Sequence, residues 1–206
     1  MATDRITTTA ELEALYPGIA KIAPATWHKE TPVINEAYRQ LIETAPFLTI
    51  ASIGPDGMDC SPRGDGPGFV KILDERTIAI PDRRGNNRLD TLRNIVADPR
   101  VALLFLIPGL NETFRINGRA HLSADPELLA RFDVDGKLPV SAIVVEIDTM
   151  FFQCARALKR SKLWDAESQV DPTTLPSAGT LVRSVLDDFD AETYDGALQE
   201  RQAKTL

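Results

Sequence analysis

The chain has 206 residues, of which 23 are Lys or Arg and 30 are Asp or Glu, giving a formal net charge of −7. Such an acidic chain repels polyanions on average, which argues against a nucleic-acid-binding protein. Its longest apolar run, residues 101–107, is far too short to span a membrane, and its first residues lack the apolar core of a signal peptide. Its two cysteines are not spaced as in a metal site or a disulfide framework. We therefore expect a cytoplasmic, metal-free protein.

Helices are predicted first, within an N-terminal region covering residues 1–45. Thr8 and Glu11 have the spacing of a capping box, which predicts a short first helix. Thr31 followed by Pro32 is typical of the first residues of a second helix. The apolar residues that follow at helical spacing are Ile34, Tyr38, Leu41, Ile42 and Ala45.

Short strands separated by turns follow the helices. Apolar and alternating patterns predict strands over residues 47–53, 58–62, 69–73, 77–80, 101–107, 113–122 and 140–147. Strands of this length and spacing favour a small barrel, so we expect a mainly β fold with flanking helices, an α+β arrangement. The barrel domain is expected to cover residues 46–164. Residues 165–206 carry nine acidic and three basic side chains and are expected to form an acidic C-terminal extension.

An arginine-rich loop separates two of the predicted strands. Arg83, Arg84 and Arg88 stand in this loop, and the apolar spacing of residues 89–96 predicts a helix directly after it. Asn87 is the expected N-cap of that helix. Free backbone N–H groups at a helix start, together with guanidinium groups, favour an anion. The pattern predicts a site for one small phosphorylated ligand.

Two other segments allow more than one interpretation. Residues 60–70 contain three glycines and two prolines, which suits either a close approach of the backbone to a flat ligand or an ordinary wide loop. Residues 151–164 combine basic and aromatic side chains, which suits either a second wall of a ligand site or an amphipathic helix covering one end of the barrel.

The sequence carries no recognisable hydrolytic or acid–base machinery. His28 and His121 are isolated, and neither a nucleophile elbow nor a paired-histidine motif is present. The catalytic residues are therefore unknown at this stage. If the protein performs chemistry, a cofactor is expected to carry it.

Several motifs, taken in order, resemble those of one known family. They are Ser61-Pro62-Arg63-Gly64-Asp65, then residues 80–88 with the Arg-Gly-Asn-Asn-Arg loop, then residues 98–105, 114–120 and 154–164. Together they are similar to the pyridoxamine 5′-phosphate oxidase-related, FMN-binding split-barrel family, in particular a branch of FMN-dependent proteins. The resemblance covers roughly residues 45–164.

The resemblance implies a homodimer of six-stranded antiparallel split barrels, with FMN held in clefts between the subunits. Arg63 matches an arginine that meets the FMN phosphate, and Asn87 with Arg88 match the pair at the head of a phosphate-binding helix. Thr113 falls where the partner subunit contacts the isoalloxazine. The full set of implied cofactor-binding residues is Ser61, Arg63, Gly64, Asp65, Asp82, Arg83, Arg84, Asn86, Asn87, Arg88, Thr113, Arg160 and Trp164.

The sequence also departs from the vitamer oxidases of this family. Gly68 and Leu89 occupy positions where those enzymes have basic residues, and a C-terminal Arg-x-His pattern is missing. The resemblance thus implies an FMN-dependent oxidoreductase that transfers hydride between flavin N5 and a small-molecule substrate, which need not be a pyridoxine vitamer. The alternatives are a flavin-binding sensor or carrier without turnover, and a split-barrel protein that uses haem or a deazaflavin.

Overall fold

Seven antiparallel strands form one sheet in the computed structural model, which describes residues 5–18, 23–85 and 87–203. The strands are β1 (Phe47–Gly54), β2 (Gly57–Gly64), β3 (Lys71–Ile72), β4 (Thr77–Asp82), β5 (Arg100–Leu106), β6 (Thr113–Ser123) and β7 (Ser141–Gln153). Their order across the sheet is β2-β1-β5-β6-β7-β4-β3. The expectation of a mainly β fold with flanking helices is therefore confirmed.

The expectation of a six-stranded split barrel is wrong in its number of strands, and the sheet does not close. The sheet has seven strands because the short β3 pairs with β4 through Lys71 and Ile72. It stays open because no ladder among the described residues joins β2 to β3, the strands at its two edges. Pro62 lies in β2 and has no N–H to donate, and proline is tolerated in a sheet mainly at such an edge.

Nine α-helices flank the sheet within the described residues: α1 (Thr9–Ala14), α2 (Pro24–His28), α3 (Glu36–Thr44), α4 (Asp90–Ala97), α5 (Pro126–Ala130), α6 (Arg156–Ser161), α7 (Ala178–Arg183), α8 (Ala191–Gly196) and α9 (Leu198–Ala203). The capping box predicted for Thr8 and Glu11 is present at the start of α1. The predicted helix start at Thr31 is wrong, because the backbone of Thr31 pairs with Met150 instead. Helix α3 begins later, with Asn35 as its N-cap.

The core lies on the inner face of the curved sheet. Strand β1 alternates strictly, so that Leu48 and Ile50 are fully buried while their neighbours face outward. The rings of Phe105 and Phe114 stack inside with their centroids 4.3 Å apart. Helix α3 covers this core with Ile42 and with Tyr38, whose hydroxyl accepts a hydrogen bond from the backbone of Phe152.

The C-terminal helices pack mainly on one another. Gly179 in α7 lies so close to the backbone of Ala191 in α8 that a Cβ atom would not fit between them. The Asp195 carboxylate accepts hydrogen bonds from the Ser177 hydroxyl and the Gly179 amide, which fixes the α7–α8 pair. Nowhere in the described ranges is a helix both long and apolar enough to cross a membrane.

Candidate functional site

A cavity of about 340 Å³ opens where the end of edge strand β2 faces the end of β4. These strands are not neighbours in the sheet, so the curvature of the open sheet brings them together. We call this space the Arg63 cavity. Its lining residues are Ser61, Pro62, Arg63, Gly64, Phe69, Pro81, Asp82, Arg83, Arg84 and Gly85.

Strand β2 presents polar side chains where its neighbour presents apolar ones. In the β1–β2 ladder, Arg63 pairs with the buried Leu48, and Ser61 pairs with the buried Ile50. The side chains of Asp59, Ser61 and Arg63 therefore lie on the inner side of the edge strand. An inward polar stripe is costly to bury without partners, which makes this edge a candidate binding site.

The Arg63 guanidinium is only partly satisfied. Its Nη1 donates to the carbonyl of Pro62 at 2.8 Å, whereas its Nε and Nη2 are buried and find no hydrogen-bond partner in the described part of the chain. Burial lowers the pKa of Arg63, and the nearby carboxylates of Asp82 and Asp59 act in the opposite direction. Two buried donors on a cation at a cavity wall are suited to an anionic ligand.

Arg83 and Arg84 extend the basic wall beyond the end of β4. The Arg83 Nε donates to Asp65 Oδ2 at 2.8 Å, and Nη1 lies 3.4 Å from the Lys137 carbonyl oxygen. Asp82, the last residue of β4, is buried at the base of this wall. Three arginines and one buried carboxylate thus surround the cavity.

The loop before α4 differs from its predicted form. The helix begins at Asp90 and its N-cap is Leu89, which adopts a left-handed conformation with φ of 60°, so the prediction of Asn87 as N-cap is wrong. The reason is a tight turn in which the Asn87 amide donates to the Gly85 carbonyl. Arg88 is 87% exposed and pairs with Asp90 at 2.6 Å, outside the cavity lining. Asn86 lies outside the described residues.

Three further predicted site residues do not line the Arg63 cavity. Thr113 is buried at the start of β6, three strands from β2, or about 14 Å along the sheet at roughly 4.8 Å per strand. Trp164 donates from Nε1 to the Leu110 carbonyl at 2.8 Å, which anchors it to the β5–β6 connection. Arg160 is exposed in the last turn of α6.

Two residues beside the Arg63 cavity, neither of which lines it, were not predicted as site residues. The Asp59 carboxylate accepts hydrogen bonds from the hydroxyls of Ser61 and Thr91, and it thereby ties β2 to the first turn of α4. The sequence pattern could have identified Asp59, because it continues the alternation of Ser61 and Arg63 along β2. Thr91 gave no such signal, since a threonine in the first helical turn is common.

Residues suited to metal binding do not come together: in the described ranges, no three His, Cys, Asp or Glu side chains are grouped to hold an ion. The lining of the Arg63 cavity combines three arginines with apolar side chains. Phe69 supplies an apolar surface beside the arginines.

Comparison with known proteins gives a family match. A family model described as pyridoxamine 5′-phosphate oxidase matches residues 34–154, more than half of the chain. No curated protein matches the sequence.

Several solved structures of low sequence identity match part of this chain. HupZ from Group A Streptococcus is 14% identical with a TM-score of 0.48, over 58% of this chain and 93% of that chain. A pyridoxamine 5′-phosphate oxidase candidate from Lactobacillus delbrueckii is 17% identical with a TM-score of 0.46, over 59% and 95% of the two chains. An F420 reductase is 19% identical with a TM-score of 0.40, over 58% and 98%.

Proposed function

This chain belongs to the pyridoxamine 5′-phosphate oxidase family, and from that premise we propose that it is an FMN-dependent oxidoreductase acting on a small molecule. The observation that carries the proposal is the Arg63 guanidinium, whose Nε and Nη2 are buried without a partner in the described chain at the wall of the cavity. A phosphate monoester offers the oxygen acceptors that these donors lack.

The other residues of the Arg63 cavity also fit the phosphate end of FMN. Arg83 and Arg84 add positive charge at the mouth, and the Ser61 hydroxyl lies on the same inner face of β2 as Arg63. The volume of about 340 Å³ is at the lower end of the range for small-molecule sites, roughly 300–1,000 Å³. It suits the phosphate and sugar-alcohol chain, with the ring system extending beyond it.

The segment after β2 suits a flat ring. Gly66 has no atoms within 4 Å of the position of a Cβ, and Gly68 takes a φ of +80°, so the backbone is accessible at these two positions. Lys71 donates to the Gly68 carbonyl at 2.9 Å, which steadies this segment beside the cavity. We place the isoalloxazine beside residues 66–68 in this proposal, beyond the phosphate anchor at Arg63.

Bound FMN supplies hydride exchange at its N5 atom. The chain contributes by holding the phosphate with Arg63, by setting the ligand's orientation from that anchor, and by shielding one side with Phe69. No described residue of the cavity is assigned as a proton donor or acceptor. Because Gly68 and Leu89 replace basic residues found in the vitamer oxidases, the proposed substrate is not pyridoxamine phosphate.

A homodimer completes the proposed site. Thr113, Arg160 and Trp164 lie outside the Arg63 cavity of their own chain, and we propose that they approach the flavin held by a second copy. Support comes from the outer face of the sheet, where Phe47 and Leu104 are exposed. Apolar side chains on a sheet face favour burial against a partner.

An absorbance spectrum of the purified protein, with and without added FMN, tests the proposal. We expect a bound flavin spectrum, tighter binding of FMN than of riboflavin or FAD, and bleaching under anaerobic NADH or NADPH. Bound flavin without bleaching by either donor would instead indicate a carrier or sensor. A haem or deazaflavin spectrum, or no flavin uptake, would overturn the proposal.

A further inference from the structure

An ion pair joins the segments that follow β2 and β4 at the mouth of the Arg63 cavity. Asp65 directly follows β2, and Arg83 directly follows β4. Strands β1, β5, β6 and β7 lie between these two strands in the sheet, so no ladder holds their ends together. The contact from Arg83 Nε to Asp65 Oδ2, 2.8 Å long, crosses that gap.

Backbone contacts fix the position of Asp65. Its Oδ1 accepts from the Gly66 amide at 2.8 Å, and its own amide donates to the Pro46 carbonyl at 3.1 Å. The Gly66 amide therefore orients the carboxylate, and the Pro46 carbonyl fixes the backbone that carries it. Both partners of the ion pair are about a third exposed or less, with side-chain exposures of 27% for Arg83 and 32% for Asp65.

The contacts also fix which part of the Arg83 guanidinium faces a ligand. Nε is bound to Asp65, and Nη1 is near the Lys137 carbonyl oxygen. Within the described chain, Nη2 is the nitrogen that no hydrogen bond occupies. Arg83 lines the cavity, whereas Asp65 does not.

We infer that Asp65 is a positioning residue, which holds Arg83 across the cavity mouth so that its guanidinium meets the ligand's phosphate in a fixed orientation. This inference rests on the proposed function. A long arginine side chain loses rotamer freedom when it binds a ligand, and a partner that has already immobilised it removes that cost from binding. Asp65 thus favours phosphorylated ligands although its own charge is negative.

A direct competitor for Arg83 would act in the opposite way. If Asp65 had to release Arg83 before the phosphate could bind, its removal would strengthen binding. The geometry argues against this, because Asp65 binds Arg83 through Nε and does not line the cavity, so it leaves Nη2 of a lining residue open to the ligand. The sign of the mutational effect therefore separates the two roles.

The test measures FMN and riboflavin dissociation constants for the full chain and its variants. We expect Asp65→Ala to weaken FMN binding about fivefold, the scale of a partly exposed ion pair, and to leave riboflavin binding unchanged. Asp65→Asn retains an oxygen that accepts from Arg83 Nε and should restore most of the FMN affinity. In an Arg83→Ala background, Asp65→Ala should have no further effect.

A matched control is the Asp98–Arg100 ion pair, which is remote from the cavity lining. Asp98→Ala should leave both dissociation constants unchanged. Tighter FMN binding by Asp65→Ala, equal weakening of FMN and riboflavin, or an equal loss in the Arg83→Ala background would each overturn the inference. If the unmodified protein bound no FMN, the proposed function would fail and the inference with it, whereas FMN binding insensitive to Asp65 would refute this inference alone.

Discussion

At the scale of single residues, the observation that bears most on function is Arg63 in the edge strand β2. A buried guanidinium with two unpartnered donors, within the described chain, is costly in a folded protein. Asp82 and Asp59 offset part of this cost through their charges, but neither supplies the missing hydrogen bonds. An unpaired buried donor on an otherwise alternating strand is explained most simply by an anionic ligand.

Arg63→Met tests this explanation, because methionine keeps an unbranched apolar stem and removes the charge and the donors of arginine. A hydrogen bond to a charged group contributes roughly 1.5–3 kcal/mol, so FMN affinity should fall about ten- to a hundredfold. Riboflavin lacks the phosphate and should bind almost as before. Fluorescence titration with both flavins measures the difference.

Arg63→Lys is the companion variant. It keeps the positive charge but loses the planar fork of donors, and its FMN affinity should lie between those of the wild type and Arg63→Met. A parallel loss of riboflavin binding in both variants would show that Arg63 supports the fold of the pocket rather than the phosphate. A melting curve of each variant identifies that case.

At the scale of elements, the long strands β6 and β7 are bent by an irregularity in their register between Asn117 and Gly118. A Cβ at position 118 would collide with the Glu146 carbonyl oxygen and lie 3.1 Å from Val145 Cγ1. The missing side chain lets the two strands stay in contact through the irregularity. This bend belongs to the curvature that brings the sheet's two edges towards each other.

Gly118→Ala should therefore destabilise the protein by about 1–3 kcal/mol, the usual cost of forcing an extra group into a packed site. Chemical denaturation monitored by circular dichroism gives the value. Gly66→Ala is the control, since Gly66 has no atoms within 4 Å of its Cβ position and no positive φ. Equal stabilities of the two variants would mean that the β6–β7 contact relaxes without cost.

At the scale of the whole molecule, the outer face of the sheet is the surface left to explain. Leu104 in β5 pairs with Thr49 in β1, and both point away from the core. Phe47 and Met58 are exposed on the same outward face. A single chain leaves these apolar side chains exposed to water, whereas a second copy packed on this face would bury them.

Leu104→Arg should accordingly convert a dimer into a monomer, because it would place two unpaired charges in the proposed interface. Light scattering measures the mass, and FMN affinity should fall together with it. Val96→Arg, at an exposed position on α4, is the control and should remain dimeric. A wild-type monomer that binds one FMN per chain would contradict both the dimer and the partner role of Thr113.

Much of the fold was determined by local patterns in the sequence. The alternation in β1, β5 and β6 placed those strands, and the spacing of Thr8 and Glu11 placed the first helix, because both signals arise from neighbouring residues. The family motifs likewise identified Ser61, Arg63, Arg83 and Arg84, which the structure brings together in one cavity. Ser61 and Arg63 lie near the end of β2, and Arg83 and Arg84 directly follow β4.

Only the tertiary structure decided how those strand ends meet. Residues 61–64 end β2, and residues 81–85 end and follow β4. These two strands are separated by four others in the sheet, so their approach depends on the accumulated curvature of the strands between them. For the same reason the Asp65–Arg83 ion pair and the open edge of the sheet were not visible in the sequence. Local propensity limits the conformations of a segment, but the closure of distant segments is fixed by packing of the whole chain.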